Sequence, residues 1–232
     1  MPTDELWEFL EPYFAIRPFP KASESENTPV LGVPWQLYRF LSDLTQLSHQ
    51  LPLNSSDYDT AVTLTKEIGI WESEDSLNKA NETGTETSLH TLRYNQRTNL
   101  FIIALKILLF KFLHPETSAS SHTIQNYVIE AIRLIQPHVL ERFHFWPLLI
   151  VGSAVLHLDQ AEIIRHTLID ISKTTNSGTF LKTTRVLETI WASTLPGSEN
   201  ARSITNLDLW NFQEDGLDLL LGRGSILGLI NC

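Results

Sequence analysis

The sequence predicts an all-α protein: a single multi-helix domain of about eight helices packed around a central apolar helix. Apolar residues recur three and four positions apart through most of the chain, the spacing of one helix face. No run alternates with the period of two that a half-buried strand requires. The 232 residues are 42 % hydrophobic and 19 % charged, a composition that suits a globular chain with a substantial core.

The elements follow in order. After Pro34, which suits a helix start, Leu37, Phe40, Leu41, Leu44 and Leu47 make one apolar face. Ser56 and Asp59 have capping-box spacing and open a second, weaker helix ending near Ile70. Leu89 to Leu113 is the strongest helix. Its second half, from Leu100, has 12 apolar residues in 14, which marks it as the buried central element. Ile124, Val128, Ala131, Ile132 and Ile135 form the next stripe, stopped by Pro137. Pro147 fits a first helical position, and Leu148 to Leu158 follow with almost no polar face; Gly152, Ser153 and Ala154 there would let another helix approach closely. Asp159 and Glu162 read as the cap of a helix carrying Ile164, Leu168 and Ile171, ending in the Asn176-Ser177-Gly178 turn. Phe180, Thr184, Leu187 and Trp191 share the face of another, closed by Pro196-Gly197. A last amphipathic stretch runs from about Asn206 to Leu221.

Charge divides the chain unevenly. Residues 1–90 hold 15 Asp/Glu against 5 Lys/Arg, and the remainder holds 12 of each, for a net charge of −10. Such a balance opposes affinity for a phosphate backbone, so no direct nucleic-acid contact is expected. Residues 1–29 read as an acidic–aromatic N-terminal segment (Asp4-Glu5-Leu6-Trp7-Glu8-Phe9-Leu10) and linker, residues 30–221 as the domain, and residues 222–232 as a flexible tail. Within the domain, residues 72–87, with Glu72, Glu74, Asp75, Glu82 and Glu86, are expected to form a mobile acidic loop. The acidic start lacks the basic and apolar regions of a signal peptide, and the apolar run at Leu100 is too short to span a bilayer, so no membrane association is expected.

Enzyme signatures fail one by one. Cys232 is the single cysteine, which leaves no disulfide framework or cysteine-based zinc site in these residues. The eight histidines include no pair with metal-ligand spacing on one helix face. Gly152-Ser153-Ala154 lacks the second glycine of a nucleophile elbow. The tail Gly222-Arg223-Gly224-Ser225-Ile226-Leu227-Gly228 has neither phosphate-loop nor dinucleotide spacing. The carboxylate pair Glu214-Asp215 sits on a polar helix face without apolar surroundings. No catalytic residue, no metal and no cofactor is expected. Aromatic side chains of the body are candidates for an apolar pocket, with Phe101, Leu105, Trp146 and Trp191 the candidate lining.

Several segments together carry a resemblance. Leu31-Gly32-Val33-Pro34-Trp35-Gln36-Leu37-Tyr38-Arg39-Phe40-Leu41-Ser42-Asp43-Leu44-Thr45-Gln46-Leu47 resembles the "LG-x-P-x-x-L-x-x-L-I-S-x-I-x-x-L" opening of the fungal-specific transcription factor domain. Val128 to Gln136 followed by Phe145-Trp146-Pro147-Leu148-Leu149-Ile150-Val151-Gly152 is similar to its "ALRLL…WPLFIAG" signature. Thr183 to Trp191 resembles its "R-x-x-x-x-L-E-x-V-W" helix, and Gly216-Leu217-Asp218-Leu219-Leu220-Leu221 its closing "G-x-D-x-L-L". The matches run in order over about residues 30–221.

The resemblance implies a helical regulatory domain of a nuclear transcription factor, with cytoplasmic residence the alternative. Such a domain senses a small molecule or binds other proteins, so other transcription regulators or coregulators and a small apolar ligand are the partners it implies. Family members usually carry six cysteines holding two zinc ions ahead of this domain. None occurs here before position 232, so the zinc cluster and its DNA contact do not carry over. The competing readings are a sensor or carrier of small apolar molecules outside transcription, and a fragment whose upstream coding sequence holds the missing cysteines.

Overall fold

The computed structural model describes residues 33–81, 89–135, 145–195 and 216–222. Every regular element among them is a helix: α1 (Trp35–Ser48), α2 (Ser55–Asn81), α3 (Leu89–Leu113), α4 (His122–Leu134), α5 (Phe145–Ser153), α6 (Leu158–Thr175), α7 (Gly178–Thr194) and α8 (Gly216–Gly222). The all-α class and the helix number agree with the sequence. The chain divides into two compact units, residues 1–113 and 114–232.

In the first unit α1, α2 and α3 pack pairwise on one another. α1 begins directly after Pro34, whose carbonyl accepts the Leu37 N–H at 3.1 Å. The helix buries Trp35, Leu37, Phe40, Leu41, Leu44 and Leu47, the face expected from their spacing. Tyr38 lies against Phe101 of α3 with ring centroids 5.6 Å apart. α3 has the predicted bounds, and its residues Leu100 to Leu105 are all buried.

α2 departs from expectation at both ends. Its cap is Asn54 rather than Ser56: the Asn54 side-chain oxygen accepts the Asp57 N–H at 3.0 Å, and its amide donates to the Asp57 carboxylate at 2.6 Å. This is a reciprocal box two residues earlier, and the Tyr58 N–H to Asn54 carbonyl bond closes the first turn. At the other end α2 does not stop near Ile70 but runs to Asn81. Residues 72–81, expected in the mobile acidic loop 72–87, are therefore helical; residues 82–87 lie outside the described residues. Two contacts explain the extension. Trp71 meets Phe40 of α1 edge-on with centroids 6.5 Å apart. Glu72 accepts a 2.6 Å bond from the Lys106 ammonium of α3. An acidic run read only as something to solvate here includes a residue that the neighbouring helix neutralises.

In the second unit α7 packs against α5, α6 and α8, α5 and α6 touch, α8 also meets α5, and α4 rests on α6. Ser121 caps α4 by accepting the Ile124 N–H. α5 starts at Phe145, so Pro147 falls in the first turn, where a missing N–H leaves no helical bond unmade. α5 stops at Ser153, short of the predicted Leu158, and from Trp146 to Ser153 every residue is buried. The His157 backbone takes the cap position of α6, not Asp159 or Glu162, while Asp159 sits in the first turn. α6 ends on Asn176 in the left-handed conformation (φ 51°), the turn the sequence signalled. α7 buries Phe180, Thr183, Thr184, Leu187, Ile190 and Trp191, as its spacing predicts.

The expectations placed on the acidic–aromatic start, on the 206–215 part of the last amphipathic stretch, on Glu214-Asp215 and on the glycine tail beyond Gly222 fall outside the described residues.

Candidate functional site

Two places concentrate polar groups. In the first unit a groove of about 550 Å³ lies between α1 and α2. Asp43, Asp57, Asp59 and Glu67 line it against one cation, Arg39. Asp57 is partly committed: besides Asn54, the Gln50 amide donates to both its oxygens, at 2.5 and 2.7 Å, when its nitrogen faces the carboxylate. Four carboxylates against one guanidinium leave the groove with a net negative field, which repels phosphate and attracts cationic side chains.

In the second unit the C-terminus of α5 is a junction. The last carbonyls of a helix have no partner within it, and here other elements supply one or close over it. The indole N–H of Trp191, on α7, donates to the Gly152 carbonyl at 2.8 Å. The Gln125 amide, on α4, donates to the Ala154 carbonyl at 2.9 Å and to that of Ala119 at 2.7 Å. The Ser153 hydroxyl donates to the Ile150 carbonyl at 2.8 Å and is buried, so it is engaged in the helix end. A β-carbon on Gly152 would lie 2.7 Å from a methyl of Leu187 on α7, which makes Gly152 the close-approach position the sequence suggested. A β-carbon on Gly216, the first residue of α8, would run into the Ser153 carbonyl oxygen and sit 2.8 Å from Ile190.

The four residues proposed for an apolar pocket are all buried, two in each unit: Phe101 and Leu105 on α3, Trp146 on α5 and Trp191 on α7. Trp191 spends its polar edge on the Gly152 carbonyl. None of the four lines the α1–α2 groove. Sequence reasoning missed that groove, because its acids come from two separate helices. The charge excess of the first 90 residues was its legible trace. It also missed the role of Gly216, read only as part of a motif.

Among the described residues no group of three or more His, Cys, Asp or Glu side chains is arranged to hold a metal ion, and no helix is long and apolar enough to cross a membrane. Burial pushes the Tyr38 phenol above its ordinary pKa. On the surface of α6 the hydrogen bond from Arg165 holds the Glu162 carboxyl below the usual carboxylate range, helped by the charges of Arg165 and His166.

Comparison with known proteins gives one family. A family model described as "Fungal specific transcription factor domain" matches residues 7–222. No curated protein and no solved structure matches the chain. The match spans both units and every described helix, including the Gly152 and Gly216 segments that build the α5 junction. The chain belongs to the fungal-specific transcription factor domain family.

Proposed function

We propose that this chain is a helical regulatory domain that controls transcription by binding another regulator or coregulator in the nucleus, without a DNA contact of its own. The family match over residues 7–222 carries the reading. The net charge of −10 and the acidic α1–α2 groove support its second half, since both oppose a phosphate backbone and favour a partner presenting Lys or Arg side chains.

The experiment is affinity purification of the tagged full chain from native cell extract, with mass spectrometry of co-purifying proteins and of extracted small molecules. A DNA-bound regulator or coregulator recovered in a nuclease-resistant complex is the expected result. Capture that disappears on nuclease treatment would replace protein recognition with DNA recognition. A stoichiometric apolar metabolite without any regulator would overturn the proposal in favour of a sensor or carrier, and would direct mutagenesis first to Phe101, Leu105, Trp146 and Trp191.

A further inference from the structure

The α1–α2 groove has an apolar floor and a charged rim. Leu47 and Leu64, both buried, form the floor, so its middle offers carbon rather than hydrogen bonds. Asp59 and Glu67 stand exposed on the α2 wall, eight residues apart, which is about 12 Å along a helix axis. Among the described residues neither carboxylate makes an ion pair, and neither does the exposed Arg39 guanidinium that lines the same groove from α1. The hydroxyls of Thr60 and Thr63, on the same wall, donate to carbonyls of their own helix at 3.0 and 2.9 Å. Asp57 is held by Asn54 and Gln50. The charged acceptors left on this wall are therefore Asp59 and Glu67, two turns apart beside an apolar strip. A second helix can match that pattern, because its own side chains return to one face every two turns.

We propose that the α1–α2 groove receives a basic helix of a protein partner, with two Lys or Arg side chains seven residues apart and an apolar side chain between them. Charge complementarity selects this occupant: the groove carries four carboxylates against one guanidinium, which rejects phosphate and an acidic segment alike. A spacing of seven residues puts the two cations about 10.5 Å apart on one face, close to the separation of Asp59 and Glu67. A leucine at the third position after the first cation then faces Leu47 and Leu64, and the aliphatic stems of the flanking lysines cover the rest of the strip. The inference rests on the proposed action through a protein partner and names the chemistry that the partner must present. Both acids are exposed, so they act mainly on encounter and register, and salt should slow association more than it speeds release.

The test uses the full chain and a fluorescent helical peptide bearing Lys-x-x-Leu-x-x-x-Lys and no other charge, read by anisotropy. The double variant Asp59→Lys, Glu67→Lys should bind it at least about tenfold more weakly than the unaltered chain, and should prefer a peptide with both lysines replaced by glutamate. Glu116→Lys with Glu130→Lys changes the net charge equally at exposed positions outside the groove, and should leave affinity within about twofold. Equal weakening by the two double variants, or no binding by the unaltered chain, overturns the proposal. So does undiminished binding of a peptide with serine in place of the leucine. Displacement of the peptide by an equimolar amount of spermidine would make the groove a site for small polycations and overturn the helix assignment. If the charge-reversed chain loses helical content, Asp59→Asn with Glu67→Gln decides, with an expected loss of at least about threefold. A regulator that still co-purifies with a folded charge-reversed chain would remove the groove and leave the transcriptional reading. Peptide binding without any regulator in the purification experiment would do the reverse.

Discussion

Three glycines illustrate how differently one residue type is used. Gly216 faces a backbone carbonyl that cannot swing aside, so Gly216→Ala should undock α8 and lose about 2–3 kcal/mol of unfolding free energy, the worth of one to two buried leucines. Gly152 faces only the methyl end of Leu187, which can shift, so Gly152→Ala should cost about 1 kcal/mol, at the lower end for overpacking. Gly69, inside α2, is open: a β-carbon there would meet nothing within 4 Å. Gly69→Ala should therefore stabilise by about 0.5–1 kcal/mol through helix propensity alone. Urea unfolding midpoints of the three variants check the order. Glu162 supplies a pH signature at the same scale. Its carboxyl is held low in the folded chain, so its contribution is present above the ordinary carboxylate pKa and fades as pH falls through the lowered value. Glu162→Gln should flatten the acid limb of the melting-temperature profile slightly, because the pair is exposed and screened.

Elements were legible where one sequence signal dominated. Leu89 to Leu113 has twenty-five residues without a glycine or proline and the densest apolar run in the chain, so both ends could be placed. The Asn176-Ser177-Gly178 turn was equally plain, since asparagine tolerates the left-handed conformation it adopts. α2 was misjudged because its last turns depend on residues far away in sequence: Phe40 under Trp71, and Lys106, thirty-four positions on, beside Glu72. The end of α5 was misjudged for the same reason, as Gln125 and Trp191 take up carbonyls that a longer helix would have used itself. Lys106→Met should accordingly loosen the extension of α2 and leave its start intact. Amide exchange in 72–75 should accelerate severalfold while that of 58–68 stays within a factor of two.

At the scale of the molecule, charge was readable and its placement was not. Residues 1–113 contain 15 acids and 9 bases, and four of those bases, Arg93, Arg97, Lys106 and Lys111, belong to α3. Arg97 and Lys111 are buried and Lys106 pairs with Glu72, so these cations offer no continuous basic surface. Duplex DNA should consequently fail to bind the chain at physiological salt with an affinity tighter than about 100 μM, the weak end of non-specific binding, in a fluorescence anisotropy titration. The candidate site was legible only in outline, as an acid excess and a glycine-serine segment, because a groove is a property of two helices and a helix motif describes one. The left-handed Asn176 has a kinetic consequence. It joins α6 to α7 through two residues, so the packed surface of that pair is assembled from near neighbours in the chain and the loop entropy spent in closing it is small. Folding of the second unit should start there. Substitutions at Ile171 and Phe180 should slow refolding nearly as much as they weaken the native state, whereas Leu217→Ala should leave the refolding rate unchanged and accelerate unfolding.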